Sequence, residues 1–203
     1  MTQGGIIDTL TFHAGEIILY PGNPDSHDRI YRVESGLVRI QSVDDDGNAL
    51  TLRFVHPGEF FGEECLSGGE RRYHAEAATD TRIAQIHPAK LDPGETLNLA
   101  IQLTNALGQT YDSIQRLAAQ RLKNRIAAFL LEFSETALAS RDARGRVVLR
   151  VTHDEIASAV GSVRETVTKV VGELSRKGVI KSGYGRVMLL DFAALEKLAS
   201  KID

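Results

Sequence analysis

Residues 152–180, which read THDEIASAVGSVRETVTKVVGELSRKGVI, contain two helix-start signals ten residues apart. Thr152 and Glu155 form a Thr-x-x-Glu pattern, and Ser162 and Glu165 form a Ser-x-x-Glu pattern. In such a capping box the hydroxyl accepts a hydrogen bond from the third backbone amide, and the glutamate reaches back to the first residue. The stretch therefore predicts two short helices, the second over residues 162–175.

Gly161 stands between these two helices, at the point where the first must end. Glycine adopts the left-handed conformation of a helix C-terminus at little cost. Each predicted helix has one apolar face, formed by Ile156, Ala157 and Val160 in the first and by Val163, Val167, Val170, Val171 and Leu174 in the second. This combination is typical of a helix-turn-helix.

The outward face of the second helix carries side chains that can read DNA bases. An arginine can bind O6 and N7 of guanine, a glutamate can accept from cytosine, and a lysine can bind guanine or a phosphate. Arg164, Glu165 and Lys169 are the candidates for these roles. Other candidate DNA contacts are Ser162, Thr166, Thr168 and Thr152. A solvated helix face shows similar residues, and Glu165 is also claimed by the predicted cap at Ser162.

The stretch GVIKSGYGRVMLLD, residues 178–191, follows the second helix. It predicts two short strands around a Gly-Tyr-Gly turn, which would form a wing beside the reading helix. Lys181, Tyr184 and Arg186, together with the wing's backbone amides, are candidate phosphate contacts.

Residues 10–87 are short runs rich in β-branched and aromatic residues, with turn signals every eight to twelve residues. This pattern predicts an antiparallel barrel or sandwich. Asp46-Gly47-Asn48 lies between the alternating segments LVRIQSV and ALTLRFV and predicts a hairpin turn.

The chain from about Glu95 to Thr136 lacks proline and predicts helix. An apolar stripe within it has the spacing 4, 3, 4 and 3 of a coiled-coil seam: Leu103, Leu107, Thr110, Ile114 and Leu117. The stripe favours a dimer, and packing against the chain's own β domain is the alternative. The polar residues 139–146 predict a loop, and VVLRV after them predicts a strand.

Composition limits the class of protein. The chain has 203 residues and one cysteine, Cys65, which excludes an internal disulfide and a four-cysteine cluster. Neither a signal peptide nor a run of eighteen apolar residues is recognisable, so we expect a cytoplasmic protein without a membrane partner. Residues 1–92 carry 15 acids and 8 bases, whereas residues 93–203 carry 12 acids and 16 bases. This asymmetry suggests that the second half meets a polyanion.

A cupin-like metal enzyme is the alternative from another class. His27, Glu34, His56 and His74 lie on predicted β segments. A cupin site needs a His-x-His pair, and only the first histidine of such a pair is present at residue 27. Cys65 and the histidines also match no haem ligand pattern, so we predict neither an enzyme nor a metal or other cofactor. Two capped helices with an outward Arg164 argue against a pure interaction module.

The β-roll, the seam helix and the winged helix-turn-helix, in this order, resemble the CRP/FNR family of bacterial transcription regulators. The resemblance covers nearly the whole chain and is specific in Gly62-Glu63, in Arg125-Ile126-Ala127 and in VGSVRETV at residues 160–167. It implies an α+β fold with two domains. The first, residues 1–120, is an antiparallel jelly-roll of the cyclic-nucleotide-binding type and includes a dimerisation helix at about 95–120. The second, residues 121–203, is a winged helix-turn-helix.

The resemblance also implies a homodimer on a two-fold DNA site with half-sites roughly 34 Å apart. Arg164 and Glu165 match the family's base-reading pair, which implies a TGTGA-like half-site. Lys169 departs from the arginine of some members and cannot make the planar fork. RNA polymerase is an implied partner, and residues 140–146 lie where family activators touch it, although such a loop is also typical of solvated surface. We expect an activator, although these residues do not separate activation from repression.

In nucleotide-binding relatives, Gly-Glu is followed by an Arg-Ser-Ala or Arg-Thr-Ala segment that holds the cyclic phosphate. Here Gly62-Glu63 is present, but Tyr73-His74 precedes the alanine. Arg72 lies one residue early, and on a strand a shift by one residue turns a side chain to the opposite face.

The purine side of the implied pocket also departs from the family. Thr110 matches a threonine that touches the purine, but Tyr111 replaces the adjacent serine. We therefore expect a vestigial pocket and DNA binding without cyclic nucleotide, similar to the effector-independent and often stress-responsive branch. A regulator dependent on cyclic AMP or another small effector is the alternative.

Overall fold

The computed structural model describes residues 6–22 and 28–201. The chain forms two compact units that divide between Tyr111 and Asp112, inside one long helix. The first unit is mainly β sheet, and the second is mainly helical with a small sheet. The predicted α+β class is therefore confirmed.

The described part of the first unit contains two antiparallel sheets. Their strands are β1 (Ile6–Phe12), β2 (Ile17–Leu19), β3 (Ile30–Ser35), β4 (Val38–Val43), β5 (Ala49–Val55), β6 (Phe60–Phe61), β7 (His74–Ala77) and β8 (Thr81–Ile86). One sheet has the order β1-β8-β3-β6, and the other has the order β2-β7-β4-β5. This arrangement confirms the predicted antiparallel β-roll.

An apolar core joins strands of the two sheets. Tyr31, Val33 and Ile83 from one sheet pack in the same cluster as Val38 and Val55 from the other. Full burial of a large apolar side chain stabilises a fold by about 1.5–3 kcal/mol. This burial explains why the Val- and Ile-rich runs form strands.

The predicted hairpin turn joins β4 to β5 and spans residues 44–48. The Asp44 carboxylate accepts hydrogen bonds from the backbone amides of Asp46 and Asn48 at 3.1 and 2.8 Å. The Asn48 side chain also donates to this carboxylate, and that bond, followed by the backbone bonds, lowers the pKa of Asp44. The hairpin prediction is confirmed, and the turn begins two residues earlier than Asp46.

The predicted long helix is two helices, α1 (Pro93–Ala119) and α2 (Leu122–Glu132). Asp92 caps α1, since its carboxylate accepts a hydrogen bond from the Glu95 amide at 2.7 Å. Near the start of α1, Leu99 is buried against Ile30, Phe60 and Ile86 of the β-roll.

The second unit continues with β9 (Ala139–Arg141), β10 (Val147–Leu149), α3 (His153–Val160), α4 (Arg164–Arg176), β11 (Ile180–Gly183), β12 (Arg186–Leu189) and α5 (Phe192–Ala199). Its sheet has the order β11-β12-β10-β9. The loop predicted over residues 139–146 is partly wrong, because β9 pairs with β10 and only the connecting residues turn. The Asp142 carboxylate holds this turn by accepting from the amides of Arg144 and Arg146, both at 2.9 Å. None of the described helices is long and apolar enough to cross a membrane.

Candidate nucleic-acid interface

Helix α3 begins as the sequence predicts. Thr152 Oγ1 accepts a hydrogen bond from the Glu155 amide at 3.2 Å, and Glu155 Oε2 accepts one from the Thr152 amide at 2.7 Å. The helix ends at Gly161, whose φ of 61° is left-handed. The first capping box and the glycine turn are therefore confirmed.

The second capping box is wrong. Helix α4 begins at Arg164 with Val163 at its N-cap, and no side chain caps it. The physical reason is the turn itself: the Ser162 amide donates to Ala157 O at 3.0 Å, so Ser162 belongs to the end of α3 and Val163 becomes the extended residue. Val163 is 61% exposed, so its assignment to the inner face is also wrong. Glu165 is exposed and is not held by Ser162.

The cap at Thr152 and the missing cap at Ser162 give a matched stability prediction. We expect Thr152→Ala to lower the free energy of unfolding by about 1 kcal/mol, because the mutation removes a capping hydroxyl. Ser162→Ala is the control, and we expect it to change the free energy of unfolding by less than about 0.5 kcal/mol because no cap bond is removed. Thermal unfolding of the two variants followed by circular dichroism measures the difference. Equal losses would contradict the structural assignment of the caps.

Apolar side chains pack α3 against α4, and one arginine contacts the end of α3. Ile156 and Val160 of α3 are buried, as are Val167 and Val171 of α4. Arg125 of α2 donates from Nε to Val160 O at 2.9 Å and from a terminal nitrogen to Gln120 O at 2.7 Å. A charged donor on the last carbonyl groups of α3 complements the helix dipole. The two short helices therefore pack against each other through buried side chains.

The outer face of α4 presents the predicted reading residues to solvent. Arg164, Glu165, Thr166, Thr168 and Lys169 are all exposed. Arg164 pairs with Asp154 of α3 at 3.2 Å, with the two side chains 63% and 61% exposed. An ion pair this exposed contributes between about 0 and 1 kcal/mol, so Arg164 remains free to turn to another partner.

The predicted wing is confirmed as the hairpin of β11 and β12. Gly183 pairs with Arg186, which leaves Tyr184 and Gly185 as the turn. Tyr184 is fully exposed, and Lys181 and Arg186 are exposed beside it. The Val151 amide, just before α3, donates to Gly185 O at 3.1 Å and attaches the wing tip to the helix-turn-helix.

Sequence reasoning missed His153, the first residue of α3. Its Nδ1 lies 2.9 Å from Thr168 Oγ1 on α4, and its Nε2 lies 3.2 Å from Ser182 Oγ on β11. The partners are 15 and 29 residues away in the chain, so no local pattern signals these contacts.

In the β-roll, the glutamate of the predicted effector pocket is paired with an arginine of its own domain. Arg53 Nη2 donates to both carboxylate oxygens of Glu63 at 2.9 Å and to Phe60 O at 3.2 Å. A sugar hydroxyl would have to compete with this guanidinium for Glu63.

Arg71, which sequence reasoning also missed, fills the loop at residues 62–73 of the implied effector pocket, which we call the anion loop. Its side chain is 1% exposed. It donates to Gly62 O, to Arg29 O at 2.6 Å and to Glu64 Oε2 at 3.1 Å. Gly62 has a φ of 79°, and a Cβ there would lie 2.9 Å from Arg71 Nη1, so the backbone conformation and the packing both favour glycine. An intramolecular cation therefore occupies the inner side of this loop.

The other predicted pocket residues do not converge with Arg71. Arg72 and Tyr73 are exposed, and β7 begins only at His74. The premise that a strand runs through Arg72 is therefore wrong. His74 is half-buried, and its Nδ1 makes no hydrogen bond.

On α1, Thr110 Oγ1 donates to Ala106 O one turn earlier at 2.9 Å, and Tyr111 is exposed. A cavity lined by Arg53, Glu59, Phe60, Gln102, Leu103, Ala106 and Gln109 lies one turn before these residues, between the β-roll and α1. The space inside this cavity that the centre of a water molecule can reach is about 10 Å³. A single water requires about that much, so this cavity does not accommodate a nucleotide.

The predicted seam of α1 divides into two parts. Leu103 is half-buried against the cluster of Ile30, Phe60 and Ile86 in its own unit. Leu107, Ile114 and Leu117 are exposed, at 50%, 58% and 43%. The alternative of packing on the β domain therefore holds for Leu103 and does not account for the other three.

The described residues contain no cluster of three or more His, Cys, Asp or Glu side chains that could bind a metal ion, and His27 lies outside them. Cys65 is half-buried, and burial raises the pKa of its thiol. A raised thiol pKa reduces the thiolate fraction and with it the reactivity of the cysteine.

Comparison with known proteins assigns the two units of this chain to known domain families. Residues 124–198 match the Crp-like helix-turn-helix domain, and residues 9–93 match the cyclic nucleotide-binding domain. The transcriptional regulator SdrP of Thermus thermophilus is 58% identical over 199 residues, which are 98% of this chain and 96% of that protein. The chain belongs to the CRP/FNR family. Like its CRP/FNR relatives it is a transcriptional regulator with a helix-turn-helix DNA-binding domain, and it is not an enzyme.

Other CRP/FNR regulators support the same assignment. The transcriptional regulator LdrP of T. thermophilus is 41% identical over 170 residues, which are 84% of this chain and 87% of that protein. A crystal structure of a CRP/FNR regulator from the same organism superposes with a TM-score of 0.91 at 58% identity, over 97% of this chain and 100% of that chain. The cupin-like enzyme is therefore excluded as an interpretation of the β-roll.

Proposed function

We propose that this CRP/FNR regulator is a homodimer that binds a two-fold symmetric DNA site without cyclic nucleotide. The observation that carries the DNA-reading role is the outer face of α4, where Arg164, Glu165 and Lys169 are exposed and uncommitted to a helix cap. Base recognition needs such side chains at the N-terminal part of the second helix, since that part enters the major groove.

The proposed half-site is TGTGA-like. Arg164 would bind a guanine through O6 and N7, and Glu165 would accept a hydrogen bond from a cytosine amino group. Lys169 would bind guanine or a phosphate as a point charge, so we expect weaker discrimination at the base that it faces. Thr152, Ser162, Thr166 and Thr168, with Lys181, Tyr184 and Arg186 of the wing, are proposed contacts to the backbone and nearby bases.

The proposed dimer forms along α1. Leu107, Ile114 and Leu117 repeat at the spacing of a coiled-coil seam and stay exposed in the single chain. A partner helix carrying the same residues would bury this stripe by two-fold symmetry. Two copies of α4 would then reach half-sites roughly 34 Å apart.

Effector independence rests on the contents of the anion loop. Arg71 and the Arg53–Glu63 pair place two guanidinium groups and one carboxylate where a cyclic nucleotide would need open polar groups. Arg72 and Tyr73 face solvent instead of completing a phosphate site. We expect DNA binding at full affinity in protein stripped of nucleotide.

We further propose that this cytoplasmic protein binds double-stranded DNA and activates transcription through RNA polymerase in a stress response. The turn between β9 and β10, with Arg144 exposed at its tip, is the proposed polymerase contact. In vitro transcription from a promoter carrying the bound site, compared with and without Arg144→Ala, tests both activation and this contact.

A regulator dependent on cyclic AMP is the second candidate. The match of residues 9–93 to the cyclic nucleotide-binding domain favours it, as does the presence of Gly62-Glu63. Isothermal titration calorimetry of the stripped protein with cyclic AMP decides between the two. Micromolar binding would overturn effector independence, and no heat of binding up to millimolar nucleotide would support it.

The base-reading role predicts a specific loss for Arg164→Ala. We expect the mutation to weaken binding to the cognate site by about 1–3 kcal/mol and to flatten discrimination at one base pair per half-site. Arg176→Ala is the matched control, because it removes the same charge about 18 Å further along α4. Titrations of cognate and single-base-mutated duplexes at fixed salt measure both effects. Unchanged discrimination for Arg164→Ala would rule out the reading role.

A further inference from the structure

His153 joins three elements of the proposed DNA-binding surface. It is the first residue of α3, and its ring nitrogens contact Thr168 of α4 at 2.9 Å and Ser182 of the wing at 3.2 Å. No DNA-binding role follows for it from the helix-turn-helix sequence pattern. Its contacts nevertheless connect the reading helix to the element that carries the proposed phosphate contacts.

The chemistry of this bridge is satisfied in every protonation state. A neutral imidazole has one donor and one acceptor nitrogen, and each serine or threonine hydroxyl can serve as either. Both tautomers therefore form two hydrogen bonds, and a protonated ring donates both. Thr168 and Ser182 are bridged by one side chain, His153, which has a polar nitrogen facing each of them.

Backbone pairing holds the wing close to its tip, since Leu149 of β10 pairs with Val187 of β12. Gly183 and Gly185 carry no side chain, and Tyr184 is fully exposed. The Val151 amide holds Gly185 O, which fixes the tip to the residues before α3 but not to α4. Through His153, the Ser182 side chain therefore adds a polar link between β11 and the reading helix.

We propose that His153 is a positioning residue that holds the wing in register with α4, so that phosphate contacts by Lys181 and Arg186 coincide with base reading by Arg164. The inference rests on the proposed DNA-binding function. A surface built from two elements binds less tightly when one element shifts by about 1 Å relative to the other, because both sets of contacts can then no longer form at the same time.

The bridge can be dissected with isosteric side chains. The terminal amide of glutamine reaches about as far as Nε2 of histidine, whereas that of asparagine reaches about as far as Nδ1. His153→Gln therefore retains the link to Ser182, His153→Asn retains the link to Thr168, and His153→Ala removes both. Ser182→Ala is the matched change on the wing, and its combination with His153→Ala closes a double-mutant cycle.

The readout is the affinity for a duplex with two inverted TGTGA half-sites, measured as a function of salt. We expect His153→Ala to weaken binding about tenfold at fixed salt, the equivalent of about 1.4 kcal/mol. If Lys181 and Arg186 no longer reach their phosphates, the slope of log Kobs against log salt falls by about 0.9 for each phosphate released. His153→Gln should restore most of the slope, His153→Asn should not, and adding Ser182→Ala to His153→Ala should cause no further loss.

A second measurement is independent of DNA. Amide hydrogen exchange of residues 180–189 should be faster in His153→Ala than in the wild type, and His153→Gln should reverse the change. Wild-type salt slope and wild-type exchange in His153→Ala would overturn the proposal, as would additive losses in the double mutant. If the wild type fails to bind the duplex specifically, the proposed function fails, and the exchange data still decide whether His153 holds the wing.

Discussion

Replacing Arg71 with methionine is expected to lower the free energy of unfolding of the β-roll by about 3–5 kcal/mol, because the change leaves one buried and two part-buried acceptors without their partner. The carbonyl groups of Gly62 and Arg29 and the carboxylate of Glu64 all accept hydrogen bonds from this guanidinium. Each unsatisfied buried acceptor costs about 1–3 kcal/mol, and a charged one costs more. Methionine keeps much of the aliphatic packing against Tyr31, whose ring centre lies 6.0 Å from the guanidinium carbon.

The neighbouring arginine provides the control for this experiment. Arg72 is exposed, so Arg72→Met should change the free energy of unfolding by less than about 0.5 kcal/mol. Urea unfolding followed by far-ultraviolet circular dichroism measures both variants. Similar losses for the two arginines would contradict the assignment of Arg71 as the internal cation of the anion loop.

The second large effect is expected from Ile114→Asp on the exposed stripe of α1. Each protomer of a two-fold dimer carries the change, so the burial of two apolar side chains, each of about 1.5–3 kcal/mol, is removed together. The dimer dissociation constant should therefore rise by about 10²–10⁴-fold. Binding to the two-half-site duplex should fall with it, because a monomer engages only one half-site. Sedimentation equilibrium and DNA titration measure the two consequences.

Asn105→Asp is the matched control for the seam. Asn105 is exposed on the opposite face of α1, and the change introduces the same charge with almost no change in shape. The dimer constant and DNA affinity should stay within about twofold of the wild type, as for most exposed substitutions. Equal dissociation of both variants would show that charge on α1 in general, rather than loss of the stripe, disrupts the protein.

Local sequence signals predicted the helix-turn-helix well because their partners lie within one or two turns. Thr152 and Glu155 cap each other three residues apart, and Gly161 needs only its own backbone freedom. The prediction failed at Ser162, although its pattern is equally good, because the Ser162 amide donates to Ala157 O at the end of α3. A capping-box pattern alone does not determine whether the residue ends the preceding helix or caps the following one.

The anion loop shows why the rest of the site was not predictable. Arg71 binds Gly62 O from 9 residues away and Arg29 O from 42 residues away. Strand alternation does not apply at Arg72, because β7 begins only at His74. Similarly, the contacts of His153 join residues from three elements. Long-range polar contacts depend on the packing of whole elements, which single-sequence periodicity does not contain.

Specific DNA binding without a cyclic nucleotide is the central claim. Its most direct test is a fluorescence anisotropy titration of nucleotide-stripped protein with the inverted TGTGA duplex and a scrambled duplex, at one salt concentration, with and without cyclic AMP. We predict that the specific duplex binds at least about 10³-fold more tightly than the scrambled one, and that cyclic AMP leaves both affinities unchanged. Specific binding that appears only when cyclic AMP is added would contradict effector independence.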